Sequence, residues 1–335
     1  MSTSLQEERR IQEVRGSYIL YLPKEWCRDL NLGKGSRVLI KRVGSKLVIE
    51  PSEAPRIRLY SDVDLDEIGE GSLYHMLISL YISGAEQIKV VSKKPLSSEV
   101  KKMISIYVKH MPGFSLFDEA RNFLVLREVR RGSELNTVVR RIILNARSLF
   151  EYVIKTYGGD RAEEDLEELD SEIDAIRREA ERIFNIMLTS PGLDGDSKLL
   201  QKSYIMVQIA RVIERISDHL VAIAQYTESS EEDRAKIHSM LSNIYSYYTM
   251  IEELIKQNLQ DEEMGRRGRE PLKRVISRLV DLIESKKKIH SMVAEAGLEK
   301  DITAYHIMRI YDYITDIAEY VLDMIAISSL INRSS

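Results

Sequence analysis

Glu214 and Asp218 stand four residues apart in RVIERISDHLVAIAQ, residues 211–225 of a 335-residue chain. On a helix that spacing stacks two carboxylates one turn apart on the same face. The apolar residues Ile209, Val212, Ile213, Ile216, Leu220 and Ile223 recur at helical spacing and form a core-facing stripe. At about 100° per residue the two acids fall nearly opposite that stripe. Paired carboxylates repel unless positive charge lies between them. Arg211 and Arg215 can supply it as surface ion pairs, each worth little. A hard cation with oxygen ligands can supply it too. Spacing alone leaves both open, and a solvated charged face is the plainer of the two.

The elements that must position these acids sit in a chain with 44% apolar residues, enough core for two or three domains. Charge is uneven along it. Residues 1–51 hold 10 Lys and Arg against 6 Asp and Glu, whereas residues 134–335 hold 27 against 36. A basic head on an acidic body implies different partners for the two ends. The single Cys27 excludes an internal disulfide framework and a cysteine metal knuckle. No apolar run reaches transmembrane length and MSTSLQEERR lacks an apolar signal core, so a soluble cytoplasmic protein is expected.

Residues 9–51 read as a small β unit. Residues 18–22 are β-rich, and Pro23 opens a short helix over 24–30, where its missing N–H does no harm. Two strands, 37–43 and 46–50, alternate around Gly44-Ser45 as a hairpin. A unit of about 45 residues buries too little surface to be stable alone, so it must dock or pair. GSYILYLPKEWCRDLNLGKGSRVLIKRVGSKLVIEP resembles the AbrB/SpoVT/MazE swapped-hairpin domain: a strand, a Pro-Lys-Glu helix start, a Leu-x-x-Gly turn and two strands ending near a Pro. The resemblance implies an interleaved homodimer and, in many members, DNA binding. By position the DNA contacts would be Arg9, Arg10, Arg15, Lys24 and Arg28. Such residues contact phosphates first, so binding would be salt-sensitive. A copy that only dimerises is the competing reading.

Residues 55–130 alternate element types. Strands are expected over 56–60, 87–92, 114–117 and 123–129, and helices over 66–83 and 97–110. The order suggests a small α/β module, with a ferredoxin-like sheet carrying helices on one face as one form. It shows no glycine-rich phosphate loop and no catalytic constellation, and His75 and His110 read as packing or solvent-facing residues.

From Glu134 the chain is almost wholly helical, with helices expected over 134–157, 160–190, 196–228, 233–262, 270–296 and 299–331. Three helices followed by three of similar length suggest a duplication. ERISDHLVAIA at 214–224 aligns with MRIYDYITDIA at 308–318, Arg, Ile, Asp, Ile and Ala matching. This pattern resembles the PhoU family, two tandem three-helix bundles each ending in Glu-Arg-Ile-Gly-Asp-x-x-x-x-Ile-Ala. Ser217 stands at the Gly position. In LDSEIDAIRREAER, Asp170 and Asp174 match the family's second motif. The resemblance implies a surface metal site of Fe, Zn, Mn or Mg on Asp170, Asp174, Glu214 and Asp218.

The second half departs from the pattern. Met308 replaces the Glu, Tyr311 the small residue, and Asp281 is followed at four by Ser285. Asp312 and Asp316 would hold a second metal weakly, if at all. His219 reads as a packing residue, and His238, His290 and His306 are isolated from any acid cluster. Tyr245, Tyr247 and Tyr248 read as core or interface, Lys286-Lys287-Lys288 as a solvated face, and Gly265 to Arg269 as a basic loop.

The expected fold is mainly α, with tandem three-helix bundles at 132–230 and 231–335. They follow a swapped-hairpin domain at 1–53 and a small α/β module at 54–131. The implied function is regulation of phosphate uptake by a metal-binding adaptor, not an enzyme. Its partner would be a phosphate ABC transporter, through the ATPase subunit, or a signalling protein. The alternative is a DNA-binding transcriptional regulator whose helical body is a sensor.

Overall fold

The computed structural model describes residues 7–43, 46–52, 59–130, 133–159, 166–189, 197–225, 231–264, 271–295, 297–298 and 301–330. The chain divides into a compact unit up to Ile57 and a second from Arg58 onward.

In the first unit, β1 (Gln12–Val14) and β2 (Ser17–Ile19) pair antiparallel, with Val14 opposite Ser17. Arg15 and Gly16, both at positive φ (52° and 78°), make the two-residue turn whose twist suits a hairpin. Helix α1 (Lys24–Asp29) follows Pro23. Strands β3 (Val38–Val43) and β4 (Lys46–Pro51) form a second antiparallel pair, and the expected Gly44-Ser45 turn lies outside the described residues. Among the described residues of this unit only Pro23 is buried. Tyr18 is 77% exposed, and Ile11, Tyr21, Ile40 and Leu47 are also open to solvent. Apolar faces this open need a cover, as the unit's size requires.

The second unit begins with β5 (Tyr60–Asp64), α2 (Leu65–Ile68), α3 (Glu70–Ile82), β6 (Gln87–Val91), α4 (Ser98–Val108), β7 (Phe114–Glu119) and β8 (Phe123–Glu128). The sheet order is β5-β6-β8-β7, with β5 and β6 parallel and the other pairs antiparallel. This β-α-β-α-β-β order differs from the ferredoxin-like arrangement: the last two strands form a hairpin, with no helix crossing between them. The expected strand over 56–60 starts at Tyr60, and residues 56–58 lie outside the described residues. Ile88, Val90, Leu124 and Leu126 alternate onto one face and share a core with Leu73, Leu77 and Tyr81 of α3 and Val100 and Ile104 of α4.

Among the described residues seven helices follow: α5 (Leu135–Gly158), α6 (Leu166–Thr189), α7 (Ser197–Gln225), α8 (Glu231–Met264), α9 (Leu272–Glu284), α10 (Lys286–Glu295) and α11 (Ile302–Ser329). Helices α5, α6 and α7 pack on one another as the expected first bundle. The second half is not separate from it. Helix α11 packs along α7, α8 also packs on α5, and one core runs through both halves. The helix expected over 270–296 breaks at Ser285. There the Ser285 hydroxyl donates to Leu282 O at 2.7 Å and meets the Tyr311 hydroxyl, which also donates to Leu282 O at 3.3 Å. Side-chain donors at a helical carbonyl open the ladder and bend the helix.

Helix α6 also carries the α/β module. Arg182, 3% exposed, donates to Tyr81 O at 2.7 Å and Ala85 O at 2.9 Å, just where α3 ends. Asn185 donates to Ile82 O at 2.9 Å. A guanidinium at a helix C-terminus satisfies orphan carbonyls and complements the helix dipole. Gly84 (φ 95°) permits this approach, since a Cβ there would stand 3.2 Å from Ile186 Cγ1.

Candidate metal centre on α6 and α7

Helices α6 and α7 bury Ile173, Ile176 and Ala180 against Ile209, Ile213, Ile216 and Leu220. Their antiparallel packing sets a charged row of α6 beside one of α7. Asp170 lies beside Asp218, Asp174 and Arg177 beside Glu214, and Glu181 beside Arg211. The structure therefore sets Asp170, Asp174, Glu214 and Asp218 along facing rows of the two helices.

Arginines share the row. Arg177 reaches Asp174 Oδ1 (3.3 Å), Glu181 Oε1 (3.1 Å) and Glu214 Oε1 (3.1 Å) with its three nitrogens. Arg178 Nη2 donates to Asp174 Oδ2 at 2.6 Å, and its Nη1 lies 3.5 Å from His110 Nδ1 on the α/β module. Arg211 Nε donates to Glu181 Oε1 at 2.6 Å. Asp170 and Asp218 have no ion-pair partner among the described residues.

Their proton affinities follow from this layout. Lost solvent, then the carboxylates of Asp170 and Asp174, raise Asp218 to about 6 against the pull of Arg177 and Arg215. Burial raises Glu214 to about 7; Arg177 opposes it, while Asp218 and Asp174 add to it. Burial and Asp174 raise Asp170 as well. The charged forms of these carboxylates are thus disfavoured first by burial and then by one another. Their all-oxygen donor set is the kind that hard cations take. Among the described residues, however, no three acidic, His or Cys side chains are gathered closely enough to share one ion. The Arg177 guanidinium lies between Asp174 and Glu214.

Residues 134–227, spanning α5 to α7 and both acid pairs, match the family model described as PhoU domain. That match covers the first three helices of the helical body. Residues 11–56 match the model described as antidote-toxin recognition MazE, bacterial antitoxin. No curated protein and no solved structure matches the chain. The PhoU match ends before α8, and the second half shows why a motif reading weakens there. Asp312 is 9% exposed and pairs with Lys286 Nζ at 3.1 Å and Arg309 Nη1 at 3.1 Å. Burial raises the neighbouring Asp316, opposed by Lys286. Asp281 and Glu284 are exposed on α9.

Sequence reasoning missed several groups around these helices. Arg177 and Arg178 stand three and four residues after Asp174, the spacing of a helix ion pair, and that was the available signal. His219 and His306 meet across α7 and α11, Nδ1 to Nδ1 at 2.6 Å, beside the rings of Tyr305 and Tyr313. Burial, then His306 and Arg309, push His219 down to about 4, as befits a packing residue. Nothing in the spacing of either histidine points to the other. Arg9, Arg10, Arg15, Lys24 and Arg28 of the first unit are all exposed. Among the described residues no helix is long and apolar enough to cross a membrane.

Proposed function

We propose that this protein regulates phosphate uptake in the cytoplasm as an adaptor. Its helical body contacts a phosphate ABC transporter, through the ATPase subunit, or that transporter's signalling partner. The observation that carries this reading is the PhoU match over 134–227, which spans both acid pairs. Asp170, Asp174, Glu214 and Asp218 would hold a cation of the Fe, Zn, Mn or Mg class. Bound there, the cation would supply positive charge bridging α6 and α7. The chain's own residues do the rest: Arg211 and Glu181 hold the two helices in register, and Arg182 ties α6 to the α/β module. Asp312 and Asp316, balanced by Lys286 and Arg309, would hold a second ion only weakly. The uncovered apolar face of the first unit supports a homodimer formed there.

The test is phosphate uptake by cells grown in abundant phosphate. Removing the protein should raise uptake, and re-expressed wild type, but not Asp218→Ala, should restore the lower rate. Uptake unchanged by removal contradicts the reading.

DNA binding is the second reading, favoured by the MazE match and by exposed Arg9, Arg10, Arg15, Lys24 and Arg28. The measurement is affinity for a fragment of its own promoter against salt concentration. Binding should weaken steeply with salt, and replacing Arg9, Arg10 and Arg15 should flatten the slope. Binding untouched by that replacement counts against the assignment.

A further inference from the structure

We propose that Arg177 is a built-in competitor for the cation of the α6–α7 row: its ion pairs and cation binding by the same carboxylates exclude one another. The proposal rests on reading that row as a cation site. Arg177 Nη2 donates to Asp174, and its Nε lies 3.1 Å from Glu214 Oε1 as an ion pair without a hydrogen bond; these are two of the four carboxylates the cation needs. Its guanidinium therefore lies between the carboxylates of Asp174 on α6 and Glu214 on α7. Its side chain is 18% exposed, so it sits within the row and not over it. A divalent ion on Asp174 and Glu214 would stand within a few ångströms of a fixed positive charge. Repulsion at that range is enough to shift affinity by about tenfold or more.

The surroundings let Arg177 leave. Its third partner, Glu181, is 5% exposed and would be costly to strand, but Arg211 also holds Glu181 at 2.6 Å. Arg178 keeps Asp174 Oδ2 and its contact with His110 whichever cation is present. Asp170 and Asp218, with no arginine partner among the described residues, are free to turn toward an incoming ion. The exchange thus replaces one guanidinium with one metal ion and disturbs no other ion pair of the row. Arg177 would set how much metal the cell must supply before the row loads.

The experiment is a titration of the full chain with Mn2+, following free ion by electron paramagnetic resonance. Wild type is compared with Arg177→Gln and Arg177→Lys, each checked for folding by circular dichroism. Arg177→Gln should bind at least about tenfold more tightly than wild type. Arg177→Lys should fall between them, because a point charge cannot bridge three carboxylates. Excess Mn2+ should also raise the melting temperature of Arg177→Gln more than that of wild type. Equal affinities in wild type and folded Arg177→Gln overturn the competition and leave the cation site standing. Binding by none of the three overturns both. If Arg177→Gln does not fold, Arg177→Lys decides, and wild-type affinity in that variant overturns the competition.

Discussion

Asp218 on α7 and Asp312 on α11 occupy the same position in the two aligned segments, yet they meet opposite surroundings. Asp218 faces the carboxylates of Asp170 and Asp174; of the two arginines that act on it, Arg177 is engaged by Asp174, Glu181 and Glu214, and Arg215 lies over the Tyr313 ring. Asp312 is buried between Lys286 and Arg309, each at 3.1 Å, and the residue one turn before it is Met308 where α7 has Glu214. The helices beside them differ as well. Helix α6 is continuous and clamped by Arg182, whereas its counterpart breaks into α9 and α10 at Ser285. A shared motif aspartate therefore does not by itself fix a chemistry. The charges on the neighbouring helix decide whether the aspartate wants a cation or already has one.

The largest effect should come from the clamp on α6. Arg182→Ala strands Glu128 and the buried carbonyls of Tyr81 and Ala85 and should remove about 3–5 kcal/mol, read by urea denaturation. A loss below about 1 kcal/mol would mean that α6 is not held as described. Next come the two aspartates, with opposite signs. Asp312→Asn gives up charge-assisted contacts to partly exposed partners and should destabilise by about 1–2 kcal/mol. Asp218→Asn in metal-free protein at pH 7.5 should stabilise by less than about 1 kcal/mol, after discounting for solvent screening. Shifts of the same sign would break the comparison.

The smallest effects are in the pH profile. Asp218 and Glu214, at about 6 and about 7 when folded, bind protons more tightly than in the unfolded chain. The folded state holds more protons between about pH 4 and 7, so these groups make stability fall as pH rises through that window. His219 runs the other way. Held near 4 among His306, Arg309, Tyr305 and Tyr313, it is neutral when folded, and its contribution is lost as pH falls below about 6.5. Thermal melts should show His219→Gln gaining on wild type as pH drops from 7 to 5, while Asp218→Asn gains as pH rises. A His219→Gln difference that does not vary with pH would remove His219 from this account.

The parts that could be read in the sequence are local. The i, i+4 acid pairs on α6 and α7, the helix count of the first bundle, and the hairpin of β3 and β4 all follow from spacing within one element. What could not be read depends on pairing between distant segments. Arg177 shows its i+3 relation to Asp174 in the sequence, but its reach to Glu214 exists only once α7 lies beside α6. His219 and His306 meet across two long helices. Strand β1 is three residues long and carries no buried side chain, so its pattern is too faint to register. The break at Ser285 comes from the Tyr311 hydroxyl on another helix, in a stretch whose apolar period is otherwise unbroken. The sheet order of the α/β module likewise depends on β8 pairing with β6, not on the order of helices and strands.

The most direct test of the contrast between the halves is the number of Mn2+ ions bound per folded chain in wild type, Asp218→Ala and Asp312→Ala. About one tightly bound ion is expected in wild type, retained in Asp312→Ala and lost in Asp218→Ala. No binding in folded wild type, or binding that survives Asp218→Ala and disappears in Asp312→Ala, would contradict that contrast.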